Sequence, residues 1–192
     1  MSQIIKVAGL DPALANFGMV RGLYDIETGS LRIESSLLRQ TTKSTSKQVR
    51  QGSDDLRRCR EIVEAMRGFL DGVTLGCAEV PSGGAKSADA LKSLSMATAL
   101  LGACPVQLIE VNPAEVKLAT VGKRTAAKED MIEWAIEAHP EVEWFTYKRK
   151  GKTLYSDKNE HIADAVCAIY AGLKTQQFQN LVATLKALRV GV

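Results

Sequence analysis

Asp11, Glu79, His161 and Asp164 are side chains of the types that bind hard cations and move protons. Asp11 ends an apolar run over residues 4–11, just before Pro12. Glu79 ends a shorter run over 74–79, just before Val80 and Pro81. A buried strand that stops on a carboxylate delivers that group to the edge of a sheet. In Glu160-His161-Ile162-Ala163-Asp164, spacings of three and four put Glu160, His161 and Asp164 on one helical face. If the three acids and the imidazole converge, the carboxylates repel and raise one another's pKa values unless a cation lies between them. Such oxygen-rich sets suit magnesium, with manganese as a substitute. Two such ions about 4 Å apart activate water and stabilise the leaving oxygen in phosphodiester hydrolysis.

Each of these residues also has an ordinary role open to it. Asp11 can start the turn that Pro12 continues, Glu79 can be an exposed strand-end acid, and Asp164 can serve a cap or an ion pair. A single His is often structural. The order of acids on two strands and a late helix is what favours chemistry. Spacing alone leaves open whether Glu160 joins the set. His139, before Pro140 at a helix end, reads as a C-terminal residue favoured by the helix dipole.

The positioning elements follow from periodicity. Residues 17–24 and 31–38 are β-prone runs on either side of the turn Asp25-Ile26-Glu27-Thr28-Gly29-Ser30, so the first three strands form an antiparallel meander. The polar stretch 39–53, with Lys43, Lys47 and Arg50, is a loop or a frayed helix start. Over 54–70 the residues Leu56, Cys59, Ile62, Val63, Met66, Phe69 and Leu70 form one stripe, opened by Ser53 with Asp54 and Asp55 at the positive end of the dipole. Helices follow at 87–103, from Pro113, and over 126–138, 160–173 and 177–188, with a strand at 105–111. Alternating strand and helix signals parallel pairing. The basic stretch 141–159 shows no regular period. The fold class expected is therefore α/β, a five-stranded mixed sheet of three antiparallel and then parallel strands flanked by helices, in one domain over 1–192.

Composition excludes several classes. The 192 residues are 45% hydrophobic and 24% charged, which matches a globular chain rather than a disordered or fibrous one. No bilayer-length apolar run and no secretory leader pattern occur, so a cytoplasmic protein without a membrane partner is expected. Cys59, Cys77, Cys104 and Cys167 lack metal-type or redox-type spacing and read as buried free thiols. A net charge of +3 permits a nucleic-acid partner.

Together these segments resemble the RuvC-type Holliday-junction resolvases of the ribonuclease H-like superfamily. The resemblance rests on Gly9-Leu10-Asp11-Pro12 with Gly18, Ala78-Glu79, the run from Lys86 to Lys92, the stretch from Pro113 to Lys128, and His161-Ile162-Ala163-Asp164-Ala165. It implies that Asp11, Glu79, His161 and Asp164 bind two magnesium ions, with Lys117 and Lys128 beside the scissile phosphate. Some resolvases carry Asp where this chain has His161. The resemblance further implies a homodimer that nicks a four-way junction or other branched DNA symmetrically, leaving 5′-phosphate and 3′-hydroxyl ends. Lys86, Lys92, Lys123, Arg124, Lys148, Arg149 and Lys150 are the expected DNA contacts. The apolar surplus of 88–101, with Leu91, Leu94, Met96 and Leu100, serves either a subunit interface or the core. Two departures mark a divergent, phage-type member: Pro81-Ser82-Gly83-Gly84 lacks the aromatic residue that the family places after its second acid to stack on a base, and the loops around 43–50 and 148–152 are long. An RNA-processing nuclease of the same fold and a catalytically weak junction-binding protein are the alternatives. An actin-like ATPase needs two lobes and paired phosphate loops, which the length and sequence do not supply.

Overall fold

The computed structural model describes residues 3–81 and 87–190, with side chains as far as residue 188. In chain order the described elements are β1 (Ile4–Asp11), β2 (Asn16–Asp25), β3 (Leu31–Gln40), α1 (Gln51–Phe69), β4 (Leu75–Glu79), α2 (Ala88–Gly102), β5 (Leu108–Val111), α3 (Pro113–Ala119), α4 (Lys128–Ala138), β6 (Thr146–Arg149), β7 (Lys152–Tyr155), α5 (Asn159–Leu173) and α6 (Gln176–Val190). The main sheet has the order β3-β2-β1-β4-β5. β1 pairs antiparallel with β2 and parallel with β4, while β5 adds parallel to β4. This is the five-stranded mixed sheet expected from the sequence. Among the described residues no helix is long and apolar enough to cross a membrane.

Side chains of a strand alternate between the two faces of its sheet, and that alternation sorts the core into two layers. Ile5 and Val7 of β1, Leu75 and Cys77 of β4, and Ile109 and Val111 of β5 pack beneath α5, with Phe178 and Val182 of α6 and Met131 and Ala135 of α4. Ala8 and Leu10 face the other way, with Ile62 and Met66 of α1 and Leu100 and Leu101 of α2. Asp11 has the parity of Ile5 and Val7, and Glu79 that of Leu75 and Cys77. Both acids therefore belong to the α5 face. α5 is the central helix, with Ile162, Val166 and Ile169 fully covered. Each such side chain contributes about 1.5–3 kcal/mol by leaving water.

Several local expectations are corrected. α1 starts at Gln51 with Arg50 at its N-cap, so Ser53 is not its cap. Asp54 is buried and accepts hydrogen bonds from the Ser44 amide at 2.9 Å and from Arg57, which hold its carboxyl below the usual range. Leu56 is 51% exposed, off the apolar stripe. α2 keeps its predicted Ser87 cap, which accepts from the Ala90 amide at 3.1 Å. Its Leu91 is 60% exposed, Leu94 and Met96 are partly buried and Leu100 is buried, so only part of its apolar surplus faces outward. The aperiodic stretch 141–159 contains a separate two-stranded antiparallel ribbon, β6–β7. All eight ribbon residues are exposed, so no apolar alternation betrays the strands. Lys150 (φ 49°) and Gly151 (φ 75°) form a tight two-residue turn whose left-handed backbone suits Gly.

His139 does end α4, but it is buried rather than simply dipole-stabilised. Its Nδ1 lies 2.9 Å from Glu141 Oε1 and its Nε2 lies 2.9 Å from Tyr170 Oη, which ties α4 to α5. All four cysteines are free thiols; Cys77 and Cys167 are buried, Cys59 and Cys104 partly so.

Candidate active site

The site is assembled by register. The last parallel pair described between β1 and β4 is Leu10–Ala78, so Asp11 and Glu79 are the next residues at the C-terminal edge of the sheet. On its other side Asp11 pairs with Gly18 of β2. Over this corner lies the first turn of α5. Its backbone approaches so closely that a β-carbon on Gly9 would stand 1.8 Å from the Ala165 carbonyl oxygen. The approach carries His161 Nδ1 to 2.6 Å from Asp11 Oδ2. The Asp11 carboxylate raises the His161 pKa, an effect opposed by burial.

Asp11, Glu79 and Asp164 line one cavity of about 220 Å³ with Lys117, Lys128, Leu10, Pro113, Val116 and Met131. Burial and then the neighbouring charges of Asp11, Glu160 and Glu79 push the Asp164 carboxyl up to about 7. Burial and Asp11 likewise raise Glu79, which Lys117 partly offsets. The two lysines come from separate capped helices. In α3, Asn112 Oδ1 accepts from the Ala114 and Glu115 amides while the Glu115 carboxylate accepts from the Asn112 amide, a capping box that sets the helix bearing Lys117. At the start of α4 the Asp130 carboxylate accepts from the Ala127 amide at 2.9 Å, one residue before Lys128.

Glu160 has a role that spacing did not resolve. Its carboxylate is ion-paired with the Lys128 ammonium, so it joins α5 to α4 and does not line the cavity. That contact raises the Lys128 pKa and keeps its charge fixed beside Asp164 and Asp11. The signal for it was present only in the N-terminal placement of Glu160 on the helix; its partner lies 32 residues away in sequence and no local pattern names it.

The other cationic expectations divide. Lys123 and Arg124 are exposed in the turn between α3 and α4, both of which supply cavity-lining residues. Lys148, Arg149 and Lys150 are exposed on the β6–β7 ribbon. Lys92 is ion-paired with buried Asp55, which also lies 3.7 Å from Arg58, so its ammonium links α2 to α1. Lys86 and the glycine loop after Pro81 lie outside the described residues.

Three carboxylates on one cavity, two of them with pKa values raised by burial and mutual repulsion, are a donor set that a hard divalent cation would relieve. Among the described residues no group of three or more Asp, Glu, His or Cys side chains is gathered closely enough to hold a metal ion. A magnesium ion, which keeps several waters, would need only a few of these oxygens as ligands.

No protein-family model matches the sequence, and comparison with curated proteins finds no match. Solved structures do match. RuvC from Thermus thermophilus in complex with a Holliday junction substrate aligns over 87% of this chain and 92% of its own, with 18% identity and a TM-score of 0.62. RuvC from the same organism, in a second structure, covers the same shares at 18% identity with a TM-score of 0.55. The mixed sheet with α5 over one face thus has the fold of these RuvC structures.

Proposed function

We propose that this chain is a magnesium-dependent endodeoxyribonuclease that resolves four-way DNA junctions by paired symmetric nicks. The observation that carries the reading is the shared cavity: Asp11, Glu79 and Asp164 open onto the same space as Lys117 and Lys128. Acids that crowd together and two cations at their rim are what hydrolysis of a phosphodiester requires. One solved structure with this fold is a complex with a Holliday junction substrate, and a net charge of +3 is compatible with such a polyanion.

In this reading Asp11, Glu79 and Asp164 hold the metal ions, which supply an activated water and charge stabilisation when bound; manganese substitutes. His161 orients the Asp11 carboxylate through the 2.6 Å contact. Lys117 and Lys128 face the scissile phosphate and stabilise charge that builds on it. Lys123 and Arg124 on the adjoining turn, and Lys148, Arg149 and Lys150 on the ribbon, contact flanking phosphates and carry little sequence information. The ends left are 5′-phosphate and 3′-hydroxyl. A homodimer matches the two-fold symmetry of the junction, and the outward-facing Leu91 side of α2 is available to it.

The test is nicking of a labelled synthetic four-way junction with magnesium, beside linear duplex and an RNA–DNA hybrid. Paired nicks on the junction that vanish in Asp11→Asn, with binding retained, are expected. Unchanged nicking by Asp11→Asn sinks the assignment of the site. Cleavage confined to the hybrid moves the activity to RNA processing, and binding without turnover makes the chain a junction-binding protein.

A further inference from the structure

The β6–β7 ribbon is built like a tool rather than a loop. It belongs to neither layer of the core, and among the described strands it is paired only with itself. Yet it carries apolar side chains into solvent: Tyr147 is 45% exposed, Tyr155 53%, Leu154 38%, and Phe145, at its root, 39%. The register places Tyr147 opposite Leu154 and Arg149 opposite Lys152, so these four share one face, with Phe145 two residues before Tyr147 on the same side. Tyr155 and Lys148 lie on the other. Residues 145–156 include Lys148, Arg149, Lys150 and Lys152 and no acid at all. A face of aromatic rings set among cations and free of anions complements a partner that offers flat apolar surfaces strung on negative charges.

The ribbon is also anchored. Asn159, fully buried at the first position of α5, accepts from the Phe145 amide at 2.8 Å through Oδ1 and donates to the Phe145 carbonyl at 2.9 Å through Nδ2. The Ser156 amide donates to the same carbonyl at 2.9 Å. The root of the ribbon is thereby fixed two residues before His161 and five before Asp164. An isolated two-stranded ribbon is marginal in water; this clamp and the tight Lys150–Gly151 turn hold it in place from both ends.

We propose that the β6–β7 ribbon grips branched DNA at its crossover, stacking Tyr147 on an unpaired base while Arg149 and Lys152 hold the flanking phosphates. The proposal rests on the nuclease reading above and names how that site would engage a branch. It gives the ribbon a function that neither a core role nor a solvated loop explains, and it couples the grip to α5.

The test is equilibrium binding of the full chain, without magnesium, to a four-way junction carrying 2-aminopurine at the branch point, beside a linear duplex. Binding of the wild type is expected to quench the fluorophore. Tyr147→Ala removes the quench and weakens junction binding about tenfold, with far less effect on the duplex, and Tyr147→Phe restores both. Tyr147 is exposed, and an unchanged circular-dichroism spectrum confirms that the variant folds. An undiminished quench in Tyr147→Ala, or an equal loss on junction and duplex, overturns the proposal. Loss of binding to phosphatidylserine vesicles with the junction quench intact also overturns it, and assigns the ribbon to lipid. Nicking of the same junction in magnesium reports the activity separately. Nicking without quench sinks the ribbon alone, and quench without nicking sinks the nuclease alone.

Discussion

A β-carbon on residue 18 would stand 2.2 Å from the His161 carbonyl oxygen and 3.1 Å from the His161 β-carbon. The bare backbone of Gly18 in β2 is thus the seat on which the first turn of α5 rests. On the neighbouring strand Gly9 does the same against Ala165. Two glycines on paired strands set how closely α5 lies on the sheet, and that closeness lets His161 reach Asp11.

Gly18→Ala is therefore expected to lift the first turn of α5 and break the His161–Asp11 contact. Nicking falls at least tenfold with junction binding retained, and the thermal midpoint drops by several degrees from the forced backbone shift. Parallel nicking, gel-shift and melting measurements check this; a wild-type nicking rate would show that the close approach is not required.

The Lys128–Glu160 ion pair predicts a graded response. Lys128→Ala removes the cation from the cavity and is expected to lower kcat about a hundredfold with little change in KM. Glu160→Gln leaves the lysine present but less firmly placed, and a smaller loss, about tenfold or less, is expected. Equal losses in the two variants would mean that Glu160 acts on the reaction directly.

Crowded carboxylates give the metal-free protein a pH-dependent stability. The folded Asp164 carboxyl titrates near 7 against an ordinary 3.8, so between those values the native state keeps a proton that the unfolded chain has lost. Stability then falls as pH rises from about 4 to about 7. Thermal melts in chelator are expected to show that decline, to show it flattened in Asp164→Asn, and to show magnesium restoring stability near neutral pH. A wild-type profile identical to that of Asp164→Asn would contradict the burial of this charge.

Asn159→Ala strips both side-chain bonds from the Phe145 backbone, so the amide loses its bond to Oδ1 while the carbonyl keeps the Ser156 amide. A loss of about 1–3 kcal/mol in urea unfolding is expected, with earlier proteolysis within 145–156. Cleavage elsewhere first would place the weak point outside the ribbon.

How much of this was legible in the sequence depended on distance along the chain. Strand and helix periods are local properties, and β1, ending on Asp11, has the bounds that its apolar run suggests. The start of α3 at Asn112-Pro113 was equally plain, because Pro suits the first helical position. Parity groups Asp11 with Ile5 and Val7, and Glu79 with Leu75 and Cys77, but only the pairing of β1 with β4 makes these one face. The ribbon escaped notice because strands exposed on both faces have no burial to impose alternation. Its one local clue was Lys150-Gly151 between β-prone residues.

From the order of residues alone it follows that two strands end on acids and that one late helix begins with Glu160, His161 and Asp164 on a shared face. Their partners emerge only in the folded chain: Glu160 with Lys128, Lys92 with Asp55, and His161 with Asp11, whose chain separation in the last case is 150 residues. Repeating patterns record which side of an element is buried, because burial acts on every turn or every second residue. They do not record which charge meets which, since a single contact between distant elements leaves no period to read.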